Sequence, residues 1–104
     1  MANSGFKPAE EVEVKERQKT ARPPLFNVFL LNDDYTTMEF VVTVLIDIFH
    51  KSAAEATKIM LDVHKKGKGV CGVYCYDIAV TKVMQVETMA KEHEFPLKCS
   101  YEEI

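Results

Sequence analysis

The chain contains no tryptophan, and only four glycines, four prolines and three cysteines in 104 residues. Cys71, Cys75 and Cys99 are an odd number and lack the paired short spacings of a four-ligand zinc site. They read as small buried thiols of a reducing compartment, not as a disulfide framework. Gly67, Gly69 and Gly72 do not make a phosphate loop. They lack the strand-to-helix setting and the Lys-Ser/Thr ending that such a loop needs. Excess positive charge is missing too: the formal net charge is −3, so no basic stripe marks nucleic-acid binding. No apolar run reaches the length of a membrane span. The start carries Glu10, Glu11, Glu13 and Glu16 among Lys and Arg, unlike a secretory leader. These exclusions point to a cytoplasmic protein with no nucleic-acid or membrane partner, and they imply no cofactor and no metal.

What is present is organised around Leu30-Leu31-Asn32-Asp33-Asp34-Tyr35-Thr36-Thr37-Met38-Glu39-Phe40. Asn32, Asp33 and Asp34 favour a turn, because their short side chains bond nearby backbone. Thr36 followed by Glu39 reads as a capping box, so a helix is expected just after Thr36. The acidic turn then lies beside Met38 and Val41 in the first turn of that helix. Acid next to apolar surface suits a positively charged group carrying an apolar side chain.

Before this stretch, residues 1–22 form a polar arm with few large apolar residues and nearly balanced charge. Such a composition predicts disorder, and Pro23-Pro24 closes it with a stiff joint. Residues 23–104 are the folded domain. Leu25 to Leu31 reads as a largely buried strand. A first helix is expected from about Thr37 to His50, apolar nearly all round except for Glu39, Thr43, Asp47 and His50. Ser52 with Glu55 is a second capping box, and Gly67 ends that helix after Lys65 and Lys66. Gly69 to Tyr76 alternates as a strand, with Cys71, Val73 and Cys75 expected on one face. Asp77 is expected to cap a third helix ending near His93. Phe95, Leu97, Cys99 and Tyr101 alternate in a last strand. The order strand-helix-helix-strand-helix-strand predicts an α/β two-layer sandwich: a small three-stranded antiparallel sheet packed by three helices.

Two kinds of chemistry suit Asp33, Asp34 and His64. Paired carboxylates and a histidine can do acid–base work. Adjacent carboxylates point in different directions, however, and no activated nucleophile or third metal ligand accompanies them. As a binding site, Asn32 and Asp33 offer acceptors and a neutral His64 offers one ring nitrogen. Met38, Val41, Met60 and Val63, with Leu97, offer apolar walls. A third possibility is an interaction module of this fold with no ligand at the acidic turn.

Several separate motifs resemble one family, in the right order and over about residues 23–102. They are Asn32-Asp33-Asp34-Tyr35-Thr36, Met38-Glu39-Phe40-Val41, Met60-Leu61-Asp62-Val63-His64, Gly67-Lys68-Gly69-Val70-Cys71-Gly72-Val73-Tyr74, Thr81-Lys82-Val83 and Pro96-Leu97. The family is that of the ClpS adaptors of the bacterial N-end rule pathway. The resemblance implies a non-enzymatic adaptor that binds the N-terminal Leu, Phe, Tyr or Trp of a substrate. It delivers that substrate to the AAA+ unfoldase ClpA for degradation by ClpAP. By this likeness Asn32, Asp33 and His64 hold the free α-amino group. Met38, Val41, Met60, Val63 and Leu97 line the side-chain pocket, with Met38 as a gate against β-branched residues. Asp34 and Thr36 shape the turn and helix cap. Asp77 and Lys82 resemble part of the surface that docks on the unfoldase N-terminal domain, and the arm aids delivery. The chain departs from the family in having Thr37 in place of the common Pro. It also has Asp77, a shorter acid than usual, and Val80 where Glu is expected. The last two bear on docking and leave the pocket untouched.

Overall fold

A central strand, β1 (Leu25–Leu31), lies between β2 (Lys68–Cys75) and β3 (Lys98–Glu103) in an antiparallel sheet of order β2-β1-β3. This computed structural model describes residues 22–104, so the arm expected over residues 1–22 lies, apart from Arg22, outside the described residues. Three helices complete the domain: α1 (Met38–Asp47), α2 (Ala53–Lys66) and α3 (Tyr76–Glu92). The order and the antiparallel sheet match the expected sandwich.

β1 is central because its run of Val28, Phe29 and Leu30 is buried. Val28 and Leu30 face the helices, and so do Gly69 opposite Leu30 and Cys99 beside it. α1 packs on α2, α2 on β2, and α3 crosses all three strands. Phe40, Val41, Val44 and Leu45 give α1 its buried side. Phe40 stacks at 4.8 Å from Phe95 and 5.1 Å from His93, which ties the start of α1 to the end of α3.

The helix boundaries show which local signals prevail. Ser52 and Glu55 form the expected capping box, and Gly67 closes α2 in the left-handed region at φ 84°. Only glycine takes that conformation without steric cost. α1 is capped by Thr37, whose hydroxyl accepts from the Phe40 N–H, and not by Thr36 with Glu39 as expected. The Thr36 hydroxyl is already committed to Asp33. α1 also stops at Asp47, short of His50, because His50 turns left-handed at φ 57°. The Lys51 N–H then bonds back to the Leu45 carbonyl at 3.1 Å. Lys82 reaches across from α3, its Nζ donating to the Ile48 carbonyl at 2.6 Å. That contact supplies the cation that the last turn of α1 lacks.

Asp77 is not the cap of α3. The cap is Cys75, which makes no side-chain bond, and Asp77 falls in the first turn. Tyr76 is the first helical residue, and its ring sits edge-on to Phe26 at 5.6 Å and to Tyr101 at 5.9 Å. The faces of β2 also differ from strict alternation. Val28 pairs with Gly72 and Phe29 with Val70, so Cys71 is an extra residue in a bulge. A bulge reverses the side-chain phase beyond it. Cys71 is therefore buried while Val73 is 47% exposed, and Tyr74 turns toward the core instead.

Candidate functional site

The link between β1 and α1 is built on one carboxylate. Asp33 Oδ1 accepts the Tyr35 N–H at 2.8 Å and the Thr36 N–H at 2.7 Å. Asp33 Oδ2 accepts the Thr36 hydroxyl at 2.7 Å. Partial desolvation works to raise the Asp33 pKa. The Thr36 hydroxyl and the two backbone N–H groups outweigh it together and hold the carboxyl below its ordinary value. Asp33 is thus an anion in the neutral range.

The loop is fixed to the far end of α2 by its backbone. The Asn32 N–H donates to the Gly67 carbonyl at 3.0 Å, and the Gly67 N–H donates to Val63 at 3.0 Å. α2 itself sits hard against β2. A Cβ on Gly69 would lie 2.6 Å from Val63 Cγ2 and 3.0 Å from the Ile59 carbonyl oxygen. These two glycines bring the acidic turn and the last turns of α2 to the same place.

Between them is a cleft of about 500 Å³. Asn32, Asp33, Asp34 and His64 form its polar part; Met38, Val41, Met60 and Val63 form its apolar part. Thr36, Thr37 and Glu39 line it as well, beyond the walls expected from the sequence. Thr37 and Glu39 follow from their place in the first turn of α1, beside Met38. Val41 and Val63 are buried, whereas Met38 is 43% exposed at the mouth. Leu97 is placed differently from the other expected walls. It is 3% exposed, packs in the core cluster, and is not among the lining residues.

Asp77 and Lys82 are not in this cleft. Asp77 is exposed in the first turn of α3. Lys82 lines a second, larger groove of about 680 Å³ with Asp47, Ile48, His50, Met84 and Met89. Volume favours that groove, but its chemistry is plainer. It lacks a fixed carboxylate facing apolar walls, and Lys82 is spent on the Ile48 carbonyl. Among the described residues, no three His, Cys, Asp or Glu side chains converge as metal ligands. Among them, too, no helix is long and apolar enough to cross a membrane.

The smaller cleft can hold a cationic head against three acceptors and an apolar side chain against two methionines and two valines. Relatives match this chain over most of its length. The sequence model of the family described as ATP-dependent Clp protease adaptor protein ClpS matches residues 21–100. A ClpS adapter protein from Syntrophus aciditrophicus is 56% identical over 95 residues, 91% of this chain and 89% of its own. One from Acetivibrio thermocellus is 67% identical over 76 residues, 73% of this chain and 77% of its own. The solved structure of Agrobacterium tumefaciens ClpS2 bound to L-phenylalaninamide superposes with a TM-score of 0.78 at 41% identity. It covers 80% of this chain and 100% of that one. This chain belongs to the ClpS family of ATP-dependent Clp protease adaptors and is an adaptor, not an enzyme.

Proposed function

We propose that this adaptor binds the free N-terminal residue of proteins that begin with Leu, Phe, Tyr or Trp, and delivers them to a ClpA-type unfoldase for degradation by ClpAP. The observation that carries the reading is the cleft itself, with the fixed anion Asp33 beside Met38, Val41, Met60 and Val63. Asn32, Asp33 and His64 receive the α-ammonium group, and the apolar walls receive the side chain. L-phenylalaninamide, the ligand of the Agrobacterium relative, has a free amine and an aromatic side chain of this kind.

The magnitudes are adequate. Burying a Leu or Phe side chain contributes roughly 1.5–3 kcal/mol. Each hydrogen bond to a charged amine adds about 1.5–3 kcal/mol. At the favourable end, three such bonds and a buried Phe total about 12 kcal/mol, and an association cost of about 4 kcal/mol leaves roughly micromolar affinity. An acetylated terminus loses its charge and two donors while Asp33 stays in place. His64 accepts from the ammonium only through an unprotonated ring nitrogen.

Delivery uses the exposed start of α3 around Asp77. Reconstituted degradation of a reporter beginning with Phe tests the whole reading. The adaptor accelerates its loss by unfoldase, peptidase and ATP; Asp33→Ala removes the acceleration. Asp77→Lys weakens binding to the unfoldase N-terminal domain and leaves peptide affinity unchanged. A reporter degraded equally with and without the adaptor contradicts delivery.

A further inference from the structure

Two adjacent threonines divide the work at the start of α1. Thr37 caps the helix, which leaves the Thr36 side chain free for another use. An ionised carboxylate only accepts, so the 2.7 Å contact makes Thr36 the donor and Asp33 Oδ2 the acceptor. Oδ1 is filled by two backbone N–H groups. Of the roughly four acceptor directions of a carboxylate, three are taken, and the one left is on Oδ2. Thr36 also lines the cleft that Asp33 faces. We infer that Thr36 is a positioning residue of the amine site: its hydroxyl fixes the Asp33 carboxylate so that one defined lone pair meets the incoming ammonium.

This inference rests on the reading of Asp33 as an amine acceptor and adds what aims it. The two backbone N–H groups hold Oδ1 alone, and a carboxylate pinned at one oxygen can still swing the other. The hydroxyl removes that swing. It also helps keep the carboxyl ionised, against the partial desolvation that opposes ionisation. The other ionisable groups around the cleft are Asp34 in the loop, Glu39 on α1 and His64 on α2. None of them changes in the variants that follow.

The test compares Thr36→Val, which keeps the shape and removes the donor, with Thr36→Ser, which keeps the donor. Peptides beginning with Phe, free or acetylated, are titrated against each full-length variant. The Asp33 carboxyl is titrated by NMR without peptide. In Thr36→Val, the ratio of free to acetylated affinity falls about tenfold, the loss of one charge-assisted bond. Its preference for Phe over Ile stays, and the Asp33 titration midpoint rises. Thr36→Ser restores the ratio and the midpoint. A Thr36→Val ratio equal to wild type overturns the inference, whether or not the midpoint moves. So does a Thr36→Ser variant as weak as Thr36→Val, because the loss is then one of packing. If wild type itself binds free and acetylated peptides alike, the amine-site reading fails instead, and the midpoints still report whether the hydroxyl holds the carboxylate.

Discussion

Asp33 is held by three hydrogen bonds, all donated from within the next three residues. Because folding lowers its pKa, the carboxylate contributes stability above the ordinary carboxylate range. That contribution is lost as pH falls through the lower, folded value. Denaturation midpoints followed from neutral pH downward therefore drop less steeply in Asp33→Asn than in wild type. At neutral pH, Asp33→Ala lowers the affinity for a free Phe terminus by roughly 10- to 100-fold. Met38, half out of the fold at the mouth, contributes to selectivity more than to stability: Met38→Ala admits Ile-first peptides with little change in unfolding temperature. The cysteines are separated by burial. Desolvation pushes the Cys71 thiol well up and Cys99 to about 12, while Cys75 is only partly buried. A thiol reagent accordingly modifies Cys75 quickly in the native protein, and the other two only on unfolding. At this scale the residue types were readable. Asn32, Asp33, Met38 and His64, singled out by type and spacing, line one cleft. The hydroxyl partner of Asp33 was not readable, because two neighbouring threonines offer the same chemistry and only the backbone path decides between them.

Among elements, the close approach of α2 to β2 sets the shape of the cleft. Gly69→Ala puts a methyl group into Val63 and the Ile59 carbonyl, and backbone cannot yield as a flexible side chain does. It costs about 1–3 kcal/mol of stability and weakens peptide binding as Val63 and His64 shift. The end of α1 depends on Lys82. Lys82→Met removes its charge-assisted bond to the Ile48 carbonyl, at a cost of about 1–2 kcal/mol in a denaturant titration. A docking defect in that variant must therefore be separated from its lower stability. Thr37→Ala loses the α1 cap and costs about 1 kcal/mol in the same titration. The capping box at Ser52 and the stop at Gly67 were legible because each signal is complete within a few residues. The bulge at Cys71 was not, since an extra residue in β2 is defined only by its partner β1. Nor was the start of α3, where the cap Cys75 makes no side-chain bond and so leaves no capping signal in the sequence.

For the whole molecule, the six elements and their order follow from apolar period and turn chemistry, and they place the acidic turn at the end of α2. Leu97 shows the limit of that logic. Its alternation with Cys99 marks it as inward-facing, but whether an inward residue meets the core or the cleft depends on packing between layers. On this reading one cleft takes a free amine and a bulky side chain unbranched at Cβ together. Fluorescence anisotropy with a labelled peptide beginning with Phe tests it most directly, beside its acetylated form and an Ile-first version. The free Phe peptide is expected to bind with a roughly micromolar Kd, and the other two at least tenfold more weakly. Equal binding of all three, or binding of none, contradicts it.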